Sequence, residues 1–199
     1  MRFLAPLLLV LALGACSAPR DAAPAAAIPL APGQAEAVFA GGCFWCVESD
    51  FEHVEGVVEA VSGYTGGALE NPTYENHEGH TEAVRVIYDP RRVTYEQLLR
   101  HFWRHHDPLD SGGQFCDRGP SYEAAIFVTP EQRAVAEASL AETESTLGRE
   151  VATPIRPLTR FWAAEDYHQD YYEKNATAYR YYRWRCGRDA RVQEVWQGR

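Results

Sequence analysis

From about residue 35 onward, stretches patterned as strands alternate with stretches patterned as helices at irregular spacing, and no segment repeats. That irregularity is the strongest constraint on the fold. Regular strand–helix–strand spacing would give a parallel α/β sheet, and strands alone a sandwich or barrel. Neither pattern is present, so the sequence predicts one α+β domain from residue 35 to the C-terminus. Strands are expected over Glu36 to Ala40, Val54 to Tyr64, Thr81 to Tyr88, Tyr122 to Val128 and Val151 to Ile155. A helix is expected over Cys43 to Phe51, where Phe44, Val47 and Phe51 share one side. Thr94 followed by Gln97 forms a capping box opening a second helix to about His105. Thr129-Pro130 with Gln132 opens a third, which Gly148 ends after Leu147. His106 to Gly119 reads as a polar loop, Ala163 to Tyr172 as a short helix, and the rest as an irregular aromatic tail.

The first residues do not belong to that domain. Arg2 precedes an apolar run from Phe3 to Leu13, followed by Leu13-Gly14-Ala15-Cys16. A short positive start, a run of this length and small residues before a cleavage point make residues 1–15 a signal peptide, too short to span a bilayer permanently. The ending resembles a bacterial lipobox, in which Cys16 would carry lipid and begin the mature chain; plain cleavage nearby is the simpler alternative. Ser17 after the cysteine favours, by the same resemblance, the outer membrane over the inner one. Residues 16–34 are rich in Ala and Pro and read as a tether. The expected location is therefore the periplasm, with contact to a membrane only through the lipid anchor.

Apolar content of 46% and charged content of 24% are those of an ordinary soluble globular chain. The formal charge of −9 argues against the basic face that binding a nucleic-acid backbone requires. Monomer is the default oligomeric state. Cys43, Cys46, Cys116 and Cys186 remain once the leader is set aside. Outside the cytoplasm such residues form structural disulfides as readily as reactive sites.

Cys43 has the setting of a reactive thiol. It follows a strand and the Gly41-Gly42 turn and opens a helix, where backbone N–H groups and the helix dipole would lower its pKa toward neutrality. Cys46 lies one turn on, where a disulfide to Cys43 needs only modest adjustment. A lone C-x-x-C also fits a thioredoxin-like pair, half a zinc site or chance. No second closely spaced cysteine pair supports zinc, and the strands that usually precede a thioredoxin-like pair are missing. His105, His106 and His168 are assigned no catalysis, and no metal or organic cofactor is expected.

The string Gly42-Cys43-Phe44-Trp45, with Glu48, resembles the active-site motif of the peptide methionine sulfoxide reductase A family. The resemblance continues through Gly63-Tyr64-Thr65-Gly66-Gly67, Asn71-Pro72-Thr73-Tyr74 and Gly79-His80-Thr81-Glu82-Ala83-Val84. It resumes at Phe102-Trp103, His106-Asp107-Pro108, Asp117-Arg118-Gly119 and Ala164 to Tyr171, in the same order. It implies a ferredoxin-like-derived fold with a central mixed sheet flanked by helices. It also implies reduction of the S epimer of methionine sulfoxide, free or in proteins, with a thioredoxin or thioredoxin-like envelope reductase as electron donor.

By the same resemblance Cys43 is the nucleophile, Phe44 and Trp45 receive the substrate methyl group, and Glu82 is the catalytic acid. Tyr74 and Tyr122 hydrogen-bond the sulfoxide oxygen, and Asp117 stands near the pocket. The chemistry agrees, because a sulfoxide oxygen leaves poorly unless protonated, and burial would keep Glu82 protonated. Taken singly, Glu82 would be a solvated edge charge, the tyrosines packing aromatics and Asp117 a turn former.

Where the family often has Gly, this chain has Cys46; Cys116 stands where Asn is common, and Glu123 where Arg is. Resolution of the oxidised nucleophile is expected from Cys46 first and Cys186 second, the latter in a mobile tail. Cys116 is expected to be an idle loop thiol before it is a third redox partner. The rival functions are a thiol–disulfide oxidoreductase using Cys43 and Cys46, and a non-catalytic peptide-binding module.

Overall fold

The computed structural model describes residues 29–198. The expected signal peptide, Cys16 and most of the expected tether lie outside the described residues. The chain runs β1 (Ala35–Ala40), α1 (Phe44–Glu52), β2 (Val57–Thr65), β3 (Thr81–Tyr88), α2 (Tyr95–Trp103), β4 (Gly113–Gln114), β5 (Asp117–Arg118), a 3-10 turn (Pro120–Tyr122) and β6 (Ala125–Val128). It continues through α3 (Arg133–Leu147), β7 (Ile155–Pro157), β8 (Trp162–Ala163), α4 (Tyr171–Lys174), α5 (Ala176–Arg185) and α6 (Arg188–Trp196).

Six strands form one sheet in the order β7-β6-β1-β3-β2-β8. Every pairing in it is antiparallel except β6 with β7, so the sheet is mixed and the fold is α+β. Alternation along β1 separates two faces. Ala37 and Phe39 join Val84, Val86 and Ile126 beneath α1, α2 and α3, where Phe51 and Phe102 stack on the Phe39 ring at 4.8 and 4.9 Å. Val38 and Ala40 face the other way with Ala83, Ala125 and Phe127, covered by Leu158 and Phe161. Burying side chains of this size stabilises each by roughly 1.5–3 kcal/mol.

Local chemistry sets the helix ends. The Thr94 hydroxyl accepts from Gln97 N at 3.3 Å, and the Gln97 side chain accepts from Thr94 N at 2.7 Å, closing the capping box on α2. Gly148 ends α3 in the left-handed conformation.

The C-terminal region differs from the irregular tail expected. It forms α4, α5 and α6; guanidinium groups anchor α5 and the start of α6, while Val192, Val195 and Trp196 pack the end of α6 on the core. Arg183 reaches Asp50 at 2.7 Å and Asp189 at 2.6 Å, and the buried Arg188 donates to the carbonyls of Gly41 and His105. Only Tyr179 of α5 is buried, so helical apolar periodicity is absent there. The helix expected over Ala163 to Tyr172 is likewise replaced. Ala163 lies in β8, opposite Gly63 of β2, and helix resumes only at Tyr171. The loop expected over His106 to Gly119 contains the β4–β5 hairpin, and of the strand expected over Val151 to Ile155 only Ile155 lies in β7, which runs on to Pro157.

Candidate active site

Cys43 occupies the N-cap position of α1, at the end of the turn that follows β1. The turn needs Gly42, which adopts φ +84° and lies against Gln114; an added Cβ there would come within 2.5 Å of the Gln114 side chain. Gln114 is itself fixed, because its amide exchanges two hydrogen bonds with the backbone of Asp107. The nucleophile candidate is thus wedged between β1 and the β4–β5 hairpin.

Glu82 comes from the neighbouring strand. It shares its face of β3 with Val84 and Val86, the face that α1 covers, and stands opposite Tyr64 of β2. Its carboxylate accepts from the Phe44 backbone N–H at 3.0 Å, so the first turn of α1 holds the acid beside the thiol. Burial pushes Glu82 up to about 8, against that single N–H donor.

A cleft of about 90 Å³ brings together Cys43, Phe44, Trp45, Tyr74, Glu82, Asp117 and Tyr122. Pockets that enclose drug-sized ligands occupy roughly 300–1,000 Å³, so this one admits the end of a side chain. A larger hollow of about 360 Å³ lies between α2 and α3, but its lining includes no cysteine, histidine or tyrosine.

The aromatic walls are fixed in place. Trp45 stacks on Tyr171 at 3.8 Å and donates its indole N–H to Nδ1 of His168 at 3.0 Å. Burial holds His168 down to about 4, so the ring is neutral and wall-forming. Tyr74 and Tyr122 are hydrogen-bonded to each other, and burial raises both phenols, keeping them protonated donors. The Tyr74 backbone N–H donates to Glu165 at 3.0 Å, and the Tyr64 hydroxyl donates to the same carboxylate. His106 is structural, bridging the Phe102 carbonyl and the Thr153 hydroxyl.

Tyr182 of α5 also lines the cleft, and sequence reasoning missed it. Its hydroxyl donates to Asp117 Oδ2 and is within hydrogen-bonding reach of Cys43. It came from the segment taken for a tail, and the tyrosine-rich composition there was the only available signal.

The resting thiols differ from the expectation for Cys43. Burial, with 6% of the residue exposed, pushes the Cys43 thiol well above its ordinary value, and the Cys46 sulfur adds to the shift. Cys46 is lowered, first by its hydrogen bond with Cys43 and then by the guanidinium groups of Arg188 and Arg183.

The outer cysteines also depart from expectation. Cys116 and Cys186 are joined in a disulfide with Cα atoms 5.1 Å apart, so Cys116 is not idle and Cys186 is not in a mobile tail. Cys116 sits on the hairpin turn and is exposed, whereas Cys43 and Cys46 are free and buried.

The model of the family described as peptide methionine sulfoxide reductase matches residues 35–199. The chain is 53% identical to peptide methionine sulfoxide reductase MsrA 2 of Caulobacter vibrioides, over 84% of this chain and 88% of that protein. It is 51% identical to MsrA 2 of Rhizobium meliloti, over 82% of this chain and 84% of that protein. Its fold resembles methionine sulfoxide reductase A of Corynebacterium diphtheriae, with a TM-score of 0.65, 31% identity, and 73% and 77% of the two chains covered. It also resembles reduced Mxr1 of Saccharomyces cerevisiae, with a TM-score of 0.69, 28% identity, and 75% and 91% covered. A buried thiol paired with a neutral carboxylic acid in an aromatic cleft suits cysteine-based reduction of a sulfoxide, and the chain belongs to the peptide methionine sulfoxide reductase family of enzymes.

Proposed function

We propose that this enzyme reduces the S epimer of methionine sulfoxide, free or in proteins, with Cys43 as nucleophile and Glu82 as the acid. The observation that carries the reading is the placement of a carboxyl raised to about 8 and a buried thiol in one cleft, tied through Phe44 N. The methyl group packs on Phe44 and Trp45. Tyr74 and Tyr122 donate to the oxygen, as an oxyanion hole does, and Asp117 orients Tyr182 beside the thiol.

Cys43 sulfur attacks the substrate sulfur while Glu82 protonates the oxygen. The S–O bond breaks, methionine leaves with its sulfur reduced, and Cys43 takes up the oxygen as a sulfenic acid. Cys46 then attacks that sulfur, releasing water and forming the Cys43–Cys46 disulfide. The lowered Cys46 thiol suits the resolving step. The Cys116 and Cys186 thiols, when reduced, take over the disulfide by exchange. An inner pair reduced and an outer pair oxidised is the state such a relay reaches.

A thioredoxin or thioredoxin-like envelope reductase restores the outer pair. Mxr1, the yeast structural relative, is known in complex with Trx2. The apolar run Phe3 to Leu13 and the Cys16 motif support export to the periplasm and lipid anchoring at the outer membrane. Among the described residues no helix is long and apolar enough to cross a membrane. The enzyme works as a monomer.

The test mixes the fully reduced protein with one equivalent of the S or the R sulfoxide and counts methionine formed. Turnover of S alone, lost in Cys43→Ser, supports the reading. Methionine from neither epimer, with thiols still reduced, refutes it.

A further inference from the structure

Electrons must reach the cleft from another protein, yet Cys43 and Cys46 are 6% and 2% exposed. Disulfide exchange requires a thiolate to reach a sulfur directly. Among the described cysteines, Cys116 on the β4–β5 turn is the exposed one, with Cys186 half-buried behind it.

The helix that ends at Cys186 carries a surface that solvation alone does not explain. Tyr181 and Trp184 are 63% and 74% exposed, and their rings lie 6.0 Å apart. A groove of about 300 Å³ opens beside Trp184 and runs to Gly187, the residue after Cys186. Arg180 and Arg185 are exposed on the same helix. No ion pair forms to either among the described residues, although the chain carries a net charge of −9. Exposed Trp and Tyr beside arginine are the side chains that most often anchor protein interfaces.

We infer that Tyr181, Trp184, Arg180 and Arg185 of α5 form the docking surface for a protein dithiol reductant with an apolar, acid-rimmed active-site face. That reductant delivers its electrons to the Cys116–Cys186 disulfide. The inference rests on the relay proposed above. One thiolate of the reductant attacks the exposed Cys116 sulfur, forming a mixed disulfide and releasing Cys186 as a thiolate. The second reductant thiol attacks its own partner sulfur in that mixed disulfide, releasing Cys116, and the reductant departs as a disulfide. Two electrons have entered. Cys186 lies one turn beyond Tyr182, whose hydroxyl touches Cys43, so the thiolate is released on the side of the inner pair. Aromatic and arginine side chains of this kind also suit a lipid headgroup layer, but a membrane gives no role to the exposed disulfide at the edge of the patch.

The experiment follows reduction of Cys116–Cys186 by alkylation and mass spectrometry, using reduced thioredoxin as the protein probe and dithiothreitol as the small one. In Tyr181→Ser/Trp184→Ser the thioredoxin rate should fall on the order of ten-fold or more, with the dithiothreitol rate unchanged. Arg180→Glu/Arg185→Glu should slow thioredoxin and flatten the salt dependence of its rate. Thioredoxin lacking its second active-site cysteine should be trapped on Cys116. Unchanged thioredoxin rates in the aromatic variant overturn the docking surface while leaving the relay intact. Loss of binding to anionic vesicles with an unchanged thioredoxin rate assigns the patch to a membrane and also overturns it. Trapping on Cys43 or Cys46, or full thioredoxin-driven turnover in Cys116→Ser/Cys186→Ser, overturns the relay itself.

Discussion

The Tyr182 hydroxyl donates to the Asp117 carboxylate, and these two residues flank the two halves of one disulfide. Asp117 follows Cys116 directly, and Tyr182 precedes Cys186 by one helical turn. The hairpin and α5 are therefore clamped together twice, once covalently and once by a hydrogen bond, where both reach Cys43.

Replacing Tyr182 by Phe removes a hydrogen bond that lowers the Cys43 pKa. A hydrogen bond to a charged group contributes about 1.5–3 kcal/mol. Alkylation of Cys43 at fixed pH should slow by roughly ten-fold or more, and single-turnover reduction should slow with it. Equal alkylation rates in the two proteins would remove Tyr182 from the chemistry.

Glu82 must be protonated to act as the acid, and its pKa is raised to about 8. The single-turnover rate should therefore rise with pH as Cys43 ionises and level off on an alkaline limb above about 8, where Glu82 loses its proton. Glu82→Gln keeps a hydrogen-bond donor but has no proton to transfer, so the rate should fall by about 10²–10⁴ and lose that alkaline limb. Stopped-flow measurement across pH 6–10 checks both expectations.

Glu48 gives a stability prediction. Its carboxylate accepts from the Ser62 hydroxyl and, at 2.6 Å, from Asp170 N, and burial raises it from 4.5 to about 8. The folded state thus binds a proton that the unfolded chain gives up. Stability from this group is complete below about 4.5 and is lost as pH rises through about 8. Glu48→Gln should flatten the fall in Tm over that window. Glu48→Ala should cost about 1–3 kcal/mol at neutral pH, because the Ser62 and Asp170 donors lose their partner.

Gly42→Ala places a Cβ 2.5 Å from the Gln114 side chain at a φ of +84°. Gln114 cannot yield without breaking its bonds to Asp107. Denaturant unfolding should show a loss of about 1–3 kcal/mol, and Cys43 reactivity should fall with it. An unchanged midpoint would mean that the turn relaxes freely.

What the sequence made legible follows local physical rules. Thr94, Gln97 and Gly148 mark helix ends through chemistry confined to a few residues, and β3 announces itself by the mostly apolar run Ala83 to Tyr88, stopped by Asp89-Pro90. The grouping of Cys43, Glu82, Tyr74, Tyr122 and Asp117 was reachable through motif order alone, since they come from separate elements. Tyr182 and the Cys116–Cys186 pair were not legible. Both depend on α5 and α6 packing through Arg183 and Arg188 to partners far away in the chain, and such polar anchors leave no periodic signature. The Cys43 pKa was misjudged for a related reason: a helix start is visible in sequence, whereas burial by a distant helix is not.

Time-resolved disulfide mapping tests the central claim most directly. Fully reduced enzyme is mixed with one equivalent of methionine S-sulfoxide, quenched by alkylation and mapped by mass spectrometry. The relay predicts a Cys43–Cys46 disulfide first and Cys116–Cys186 second, with Cys46→Ser stalling at a Cys43 sulfenic acid. Methionine formation in Cys43→Ser, or a Cys116–Cys186 disulfide that forms equally fast in Cys46→Ser, would contradict it.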